Sequence, residues 1–418
     1  MKFESIWAAT APVEPDLPAL TTNAEASVLV IGGGFLGLST ALHLAEAGVD
    51  VMLLEAEAPG YGASGRNGGQ VIPGLKDDPD ALDRLFGPQA TAFAGATADV
   101  LFDLVDRLSL DCDAARTGWI QAGSKRVHAD ILRPRMKQWA ARGADVGWLD
   151  GGQMAAATGS DVFLNGWIDR RAGKVHPLKY AYGLARAAQA AGARIHARSP
   201  VAGLRRAGDG WLATLAAGHE VKTDRVVLAT NAYTPPQLNR RLPRAIVPAH
   251  SFQVATAPLG EAQLAHILPG GAAVSEVRRV GTYFRIGPEN RLMIGGRGSF
   301  AEPRGAEAFR EIEAELARLF GQGMEVTHRW FGRLGMTPDH RLRLCALSGG
   351  LFAITGFNGR GVALSTALGK ALAEHLAAGT PLPLPVERHI RTLPLHGMHR
   401  IYGSLVIEFE RLRDALDR

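Results

Sequence analysis

The run Gly32-Gly33-Gly34-Phe35-Leu36-Gly37 stands between an apolar stretch at 28–31, which reads as a short buried strand, and a helical stretch at 35–47. In that context the spacing of Gly32, Gly34 and Gly37 is the pattern of a dinucleotide site. Gly32 permits the tight turn, Gly34 lets the backbone approach a pyrophosphate, and Gly37 lets helix and strand pack closely, with the helix amides and dipole facing the phosphates. Gly48 ends the helix and 49–54 reads as a second strand. Glu55 follows, 21 residues after Gly34, where a carboxylate can accept both hydroxyls of a ribose. The same charge would repel a 2′-phosphate, which argues against NADP. The chain therefore opens on a βαβ unit and is expected to be α/β.

A length of 418 residues allows two or three domains. Alternating strand and helix signals recur near 177–229 and again at 351–378. They predict a Rossmann-like domain assembled discontinuously from 1–85, 165–240 and 330–418, with a prolyl arm at 1–26 running over the surface. The insertions 86–164 and 241–329 are α+β in style, with helical signals at 80–108, 129–142 and 306–320 and strand-like segments through 246–294. They are expected to form a second, substrate domain.

Composition narrows the function classes. A net charge of +5 with no lysine or arginine block gives no reason to expect a nucleic-acid partner. Segment 27–45 lacks charged residues, but its four glycines exclude a membrane span, and no secretion signal precedes it. Two cysteines are too few for a disulfide framework, so a cytoplasmic setting is expected and Cys345 reads as core. His328 and His340 lack partners at metal spacing, His43 reads as structural, and His176 as a helix-entry residue; no metal is expected.

A second glycine-rich run, Gly62-Ala63-Ser64-Gly65-Arg66-Asn67-Gly68-Gly69-Gln70, begins within ten residues of Glu55. An NAD dehydrogenase would ordinarily proceed to another βα unit, whereas a flavoprotein needs donors and close backbone approach along a longer cofactor. A third turn, Thr355-Gly356-Phe357-Asn358-Gly359-Arg360-Gly361-Val362, joins a strand to a helix and supplies another positive helix end.

Taken in order, the first turn, Glu55, the SGRNGGQ run, VVLATN at 226–231, MTPD at 336–339 and the NGRGVAL stretch at 358–364 resemble the D-amino-acid-oxidase-like FAD oxidoreductases, particularly the gamma-glutamylputrescine oxidoreductase type. The resemblance implies a glutathione-reductase-type FAD domain and a substrate domain on a mostly antiparallel sheet. By it, Ser64, Asn67 and Gly68 hold the middle of FAD, Val201 the adenine, and Gly356, Asn358, Gly359, Gly361 and Val362 the flavin ring. Tyr283, Arg285 and Arg297 lie on the implied floor of the substrate site and are the candidates for substrate contact. Two positions depart from relatives. Gly332 stands where some carry a flavin-tethering cysteine, so FAD is expected to be noncovalent. Met293 stands where sarcosine-oxidase-type relatives carry an oxygen-activating lysine. The implied reaction is oxidation of a primary or secondary amine, gamma-glutamylated amines among the candidates, with oxygen or a quinone-like acceptor taking the electrons. An amino-acid oxidase or dehydrogenase of the proline, glycine or sarcosine type is the alternative, and a flavin-binding sensor without turnover the third.

Overall fold

In the computed structural model, which describes residues 3–416, the opening βαβ unit is the strand Ala24–Ile31, the helix Phe35–Glu46 and the strand Val51–Leu54. The two strands pair in parallel, Val28 opposite Val51 and Ile31 opposite Leu54. Val28–Ile31 and Val51–Leu54 are buried on both faces, as expected of a sheet covered on either side. The sheet runs in the order Arg343–Leu347, Leu351–Thr355, Glu220–Leu228, Ala24–Ile31, Val51–Leu54, Arg194–His196, with Val201–Ala207 and Gly210–Leu215 as an antiparallel extension. Its central strands thus come from three distant stretches of sequence. The helices Phe35–Glu46, Pro88–Arg107, Pro177–Ala190 and Gly361–Ala378 bury their apolar residues in one core on one face.

A second sheet is ordered Val326–Met336, Val247–Pro258, Arg291–Arg297, Thr282–Ile286, Ala273–Glu276, Trp119–Gly123, Asn165–Asp169, Val146–Asp150. All neighbours are antiparallel except Ala273–Glu276 against Trp119–Gly123. Asn165–Asp169 and Val326–Met336 belong to this sheet, Pro88–Arg107 packs in the core of the first, and His399–Leu416 lies against Arg279, Phe300 and Glu311. The layers therefore divide after 107 rather than at 86, and a few residues beyond 165 and 330, and the last helix returns to the second layer.

Several local readings change. The helical signal at 80–108 is two helices, Pro79–Phe86 and Pro88–Arg107, because Gly87 takes φ +85° and Pro88 begins anew. The arm does not simply run over the surface: Ile6–Thr10 is a short helix capped by Ser5, whose hydroxyl accepts from Ala8 N at 3.1 Å. It buries Ile6 and Trp7 against Met293 and Trp330. A helix at His399–Leu416 closes the described chain.

Candidate functional site

The first glycine turn leads into a cavity of about 650 Å³ lined from both sheets. Gly32 has φ +112°, and Gly37 packs so closely that a Cβ there would lie 1.9 Å from the Gly32 carbonyl oxygen. Gly37 therefore sets the approach of helix to strand without itself lining the cavity. Gly32 and Gly34 do line it, at the N-terminus of Phe35–Glu46. Ser64 stands across this helix end and its Oγ accepts from Phe35 N at 3.0 Å.

Glu55 lies at the rim, its carboxylate accepting from Gly33 N at 2.5 Å and Glu57 N at 2.9 Å. Burial pushes its carboxyl above the usual range, and the two amide donors oppose this. Val201, with Ser199 and Pro200, forms the wall beside it. Glu55→Ala should weaken FAD binding by about 10- to 150-fold, the value of a charge-assisted hydrogen bond of about 1.5–3 kcal/mol. FAD titration of the apoprotein measures it, and an unchanged dissociation constant would remove Glu55 from the ribose.

The second glycine run crosses the middle of the cavity. Asn67 organises it: Nδ2 donates to the carbonyls of Ala63 and Ser64, and Oδ1 accepts from Gly69 N at 2.7 Å. Its own carbonyl accepts from Trp7 Nε1 at 2.8 Å, so the N-terminal helix braces the run from behind. Gly68 leaves room for the Tyr283 ring, whose Cε2 would lie 2.7 Å from a Cβ there.

The third turn faces the same space from the far side. Asn358, at φ +52°, accepts from Thr337 N at 2.8 Å and donates to Gly356 O at 2.5 Å, joining this turn to the MTPD turn. Gly356 itself is not in the wall; at φ +79° it makes room for Thr337. Asn358, Gly359, Gly361 and Val362 line the cavity, and the helix Gly361–Ala378 starts there with no side-chain cap. Two helix N-termini, a glycine cradle, a carboxylate rim and an elongated space between them fit the two phosphates, ribose and ring system of FAD.

The substrate end is built on the second sheet. Tyr283 lines it and its hydroxyl pairs with Ser251 Oγ at 2.7 Å; burial pushes its pKa up. Arg297 lines it too; its side chain makes no hydrogen bond or ion pair among the described residues, burial lowers its pKa, and the charge of Glu410 opposes this. Arg285 does not reach the cavity. Tyr283 and Arg285 share a strand face, but the paired segments that carry Gly69 and Val175 cover it at Arg285, whose Nη1 donates to those two carbonyls at 2.9 and 2.8 Å. Full burial lowers this guanidinium to about 9, and its role is to tie those two segments to the sheet.

Three residues outside the expected set complete this end. Lys76, on the loop after Gln70–Val71, is accessible and lines the cavity; the protein crowded around it, then Arg360, Arg135 and Arg297, push it down to about 7. Arg360 is half-buried over the Trp119 ring at 5.0 Å, and desolvation lowers it to about 10. The acid at this end, Glu276, is fully engaged with Arg278, Arg318 and Thr282. Lys76 carries no motif, so no sequence signal marked it. His176 caps Pro177–Ala190 by accepting from Lys179 N, as a helix-entry residue should. Cys112 and Cys345 are buried in the cores outside the cavity. No metal-binding group of histidine, cysteine and carboxylates occurs among the described residues.

A nucleotide-binding sheet whose cavity continues onto a mostly antiparallel sheet defines a flavoprotein oxidoreductase. The family model DAO, FAD dependent oxidoreductase, matches residues 27–375, and the chain belongs to that family, with FAD as cofactor. It is similar to gamma-glutamylputrescine oxidoreductase of Escherichia coli (strain K12), 28% identical over 96% of this chain and 97% of that one. It is 30% identical to a probable oxidoreductase OrdL of Haemophilus influenzae, over 85% and 84% of the two chains. Among solved structures, glycine oxidase from Geobacillus kaustophilus superposes with a TM-score of 0.75 at 21% identity, over 88% of this chain and 100% of that one. No helix among the described residues is long and apolar enough to cross a membrane.

Proposed function

We propose that the protein oxidises the carbon–nitrogen bond of an amine that also carries a carboxylate. The observation that carries this reading is the cationic end of the cavity: the side chains of Lys76 and Arg297 make no hydrogen bond or ion pair among the described residues, Arg360 stands beside them, and the acids nearby, Glu276 and Glu410, are already paired with other arginines. A carboxylate supplies the missing counter-charge, and guanidinium geometry suits it. Gamma-glutamylated amines and amino acids both satisfy this requirement, and the names of similar proteins include both.

FAD, when bound, supplies the acceptor for the hydride leaving the carbon beside nitrogen. The chain's own residues bind and align. Lys76 and Arg297 hold the carboxylate, Tyr283 is fixed by Ser251 as the floor, and Trp119 forms an apolar wall. The oxidised product, an imine, hydrolyses in water.

An anaerobic panel tests the reading. Amines bearing a carboxylate should bleach the flavin, and the same amines as amides or decarboxylated analogues should do so far more slowly. Equal rates would defeat it, and no bleaching by any amine would favour a sensor. Comparing amino acids with polyamine derivatives then separates the two enzyme readings.

Two further outcomes follow from residues already placed. Gly332 lines the cavity with no side chain, and neither cysteine reaches it, so acid precipitation should release yellow FAD into the supernatant. Flavin pelleting with the chain would refute noncovalent binding. Met293 is buried with Trp7 and Trp330 outside the cavity lining and brings no cation to oxygen, while the cations that do line it, Lys76 and Arg297, are taken up by the substrate carboxylate in this reading. Reduced protein should therefore be reoxidised faster by a quinone than by oxygen in stopped flow; the reverse order would overturn this.

A further inference from the structure

The helix His399–Leu416 is bound to the body by the wrong face for an ordinary surface helix. Its inward positions, Gly403, Ile407, Glu410 and Asp414, recur at helical spacing. Gly403 allows close approach to the Phe300 ring, where a Cβ would lie 2.5 Å away. Asp414 accepts from Arg279 N at 3.2 Å, Val280 N at 3.0 Å and Arg279 Nη1 at 3.1 Å, and Glu410 pairs with Arg279 Nε at 3.0 Å. Farther round, Arg411 pairs with Glu311.

The opposite face is apolar and uncovered. Ile401, Leu405, Phe409, Leu412 and Leu416 follow one another at intervals of 4, 4, 3 and 4, with Val406 alongside. Their exposure runs from 51% at Val406 to 69% at Leu416. With ordinary side-chain areas these six present roughly 700 Å² of apolar surface, above the largest patch of a typical monomer and close to the ~800 Å² per partner of a standard interface.

We propose that this helix is a pairing surface for a second copy of the chain, the two stripes packing against each other about a two-fold axis. The intervals are those of a helix–helix seam rather than of a scattered surface. Charges along the helix are balanced, Arg400, Arg411 and Arg413 against Glu408, Glu410 and Asp414, which suits a neutral, self-complementary contact. A lipid surface is the poorer fit: an in-plane membrane helix needs a free, cationic polar face, and here the polar face is occupied by the protein's own body. Pairing would also reach the cavity. Asp414 fixes the backbone of the turn at Arg279 and Val280, and both residues line it.

Sedimentation velocity of the FAD-loaded protein at micromolar concentration tests the proposal. The wild type should sediment with twice the mass of one chain, and Leu405→Glu/Phe409→Glu should sediment as a single chain with its FAD retained. These side chains face solvent in the single chain, so the substitutions remove no buried contact. A second variant, Leu412→Cys, should be trapped as a crosslinked pair by a short bis-maleimide, since Cys112 and Cys345 are buried. A wild type of single-chain mass, a pair that survives both glutamates, or flotation of the single chain with vesicles of mixed neutral and anionic lipid would each overturn it.

Discussion

Replacing Gly37 by valine is expected to give protein that purifies colourless. A Cβ at this position would stand 1.9 Å from the Gly32 carbonyl oxygen and 3.2 Å from the Ala229 side chain. No rotamer relieves the first clash, because it is between backbone positions. The helix Phe35–Glu46 must move off the strand, carrying the amides that face the phosphates with it. Overpacking of this kind costs about 1–3 kcal/mol, and the upper figure corresponds to about 150-fold in FAD affinity. FAD titration and the absorbance ratio of the purified protein measure the effect. A dissociation constant within a few-fold of wild type would show that the close packing is dispensable.

The second large effect is expected at the cationic end of the cavity. Lys76→Met with Arg297→Met should lower kcat/KM for a carboxylate-bearing amine by roughly 10²- to 10⁴-fold, two charge-assisted contacts of about 1.5–3 kcal/mol each if they add. For an amine without a carboxylate the change should be small. The pH profile carries a finer signature. A reacting amine must be neutral, so kcat/KM should rise with pH toward the free amine's pKa, about 10 for a lysine-like amine. Lys76 must be charged to hold an anion, and its pKa is pushed down to about 7. The wild-type profile should therefore rise to about pH 7 and then level off, whereas Lys76→Met should go on rising to about 10. A neutral Lys76 taking the proton from an ammonium substrate would give the same wild-type profile. The amine without a carboxylate separates the two: the break near 7 disappears if Lys76 binds the anion and persists if it is a base.

How much of this was legible in the chain depended on whether the cause was local. The glycine turns could be read because the demand on each is set within a few residues, by a turn, a phosphate approach or a helix start. Glu55 could be read because strand length fixes where the second strand ends. Arg285 misled because alternation gives the face of a strand and not what covers it; the two segments of Gly69 and Val175 come from elsewhere in the sequence. Lys76 was invisible for the same reason, since its meaning lies in Arg360, Arg297 and Trp119, which only the fold brings to it. The three prolines that follow Ile6–Thr10 predict an extended arm, while Trp7, buried against Trp330, decides its place.

The discontinuity of the nucleotide sheet has a consequence for biogenesis. Ala24–Ile31 is flanked by Glu220–Leu228, which is in turn flanked by Leu351–Thr355, and the second helix N-terminus at the cavity begins only at Gly361. A ribosome that has exposed the first glycine turn has therefore made a phosphate cradle with no far wall. Elongation must deliver some three hundred further residues before the flavin end exists, an unusually non-local assembly. FAD loading is thus a late event in the life of each chain, and a nascent polypeptide stalled before residue 361 has no complete site in which to retain the cofactor.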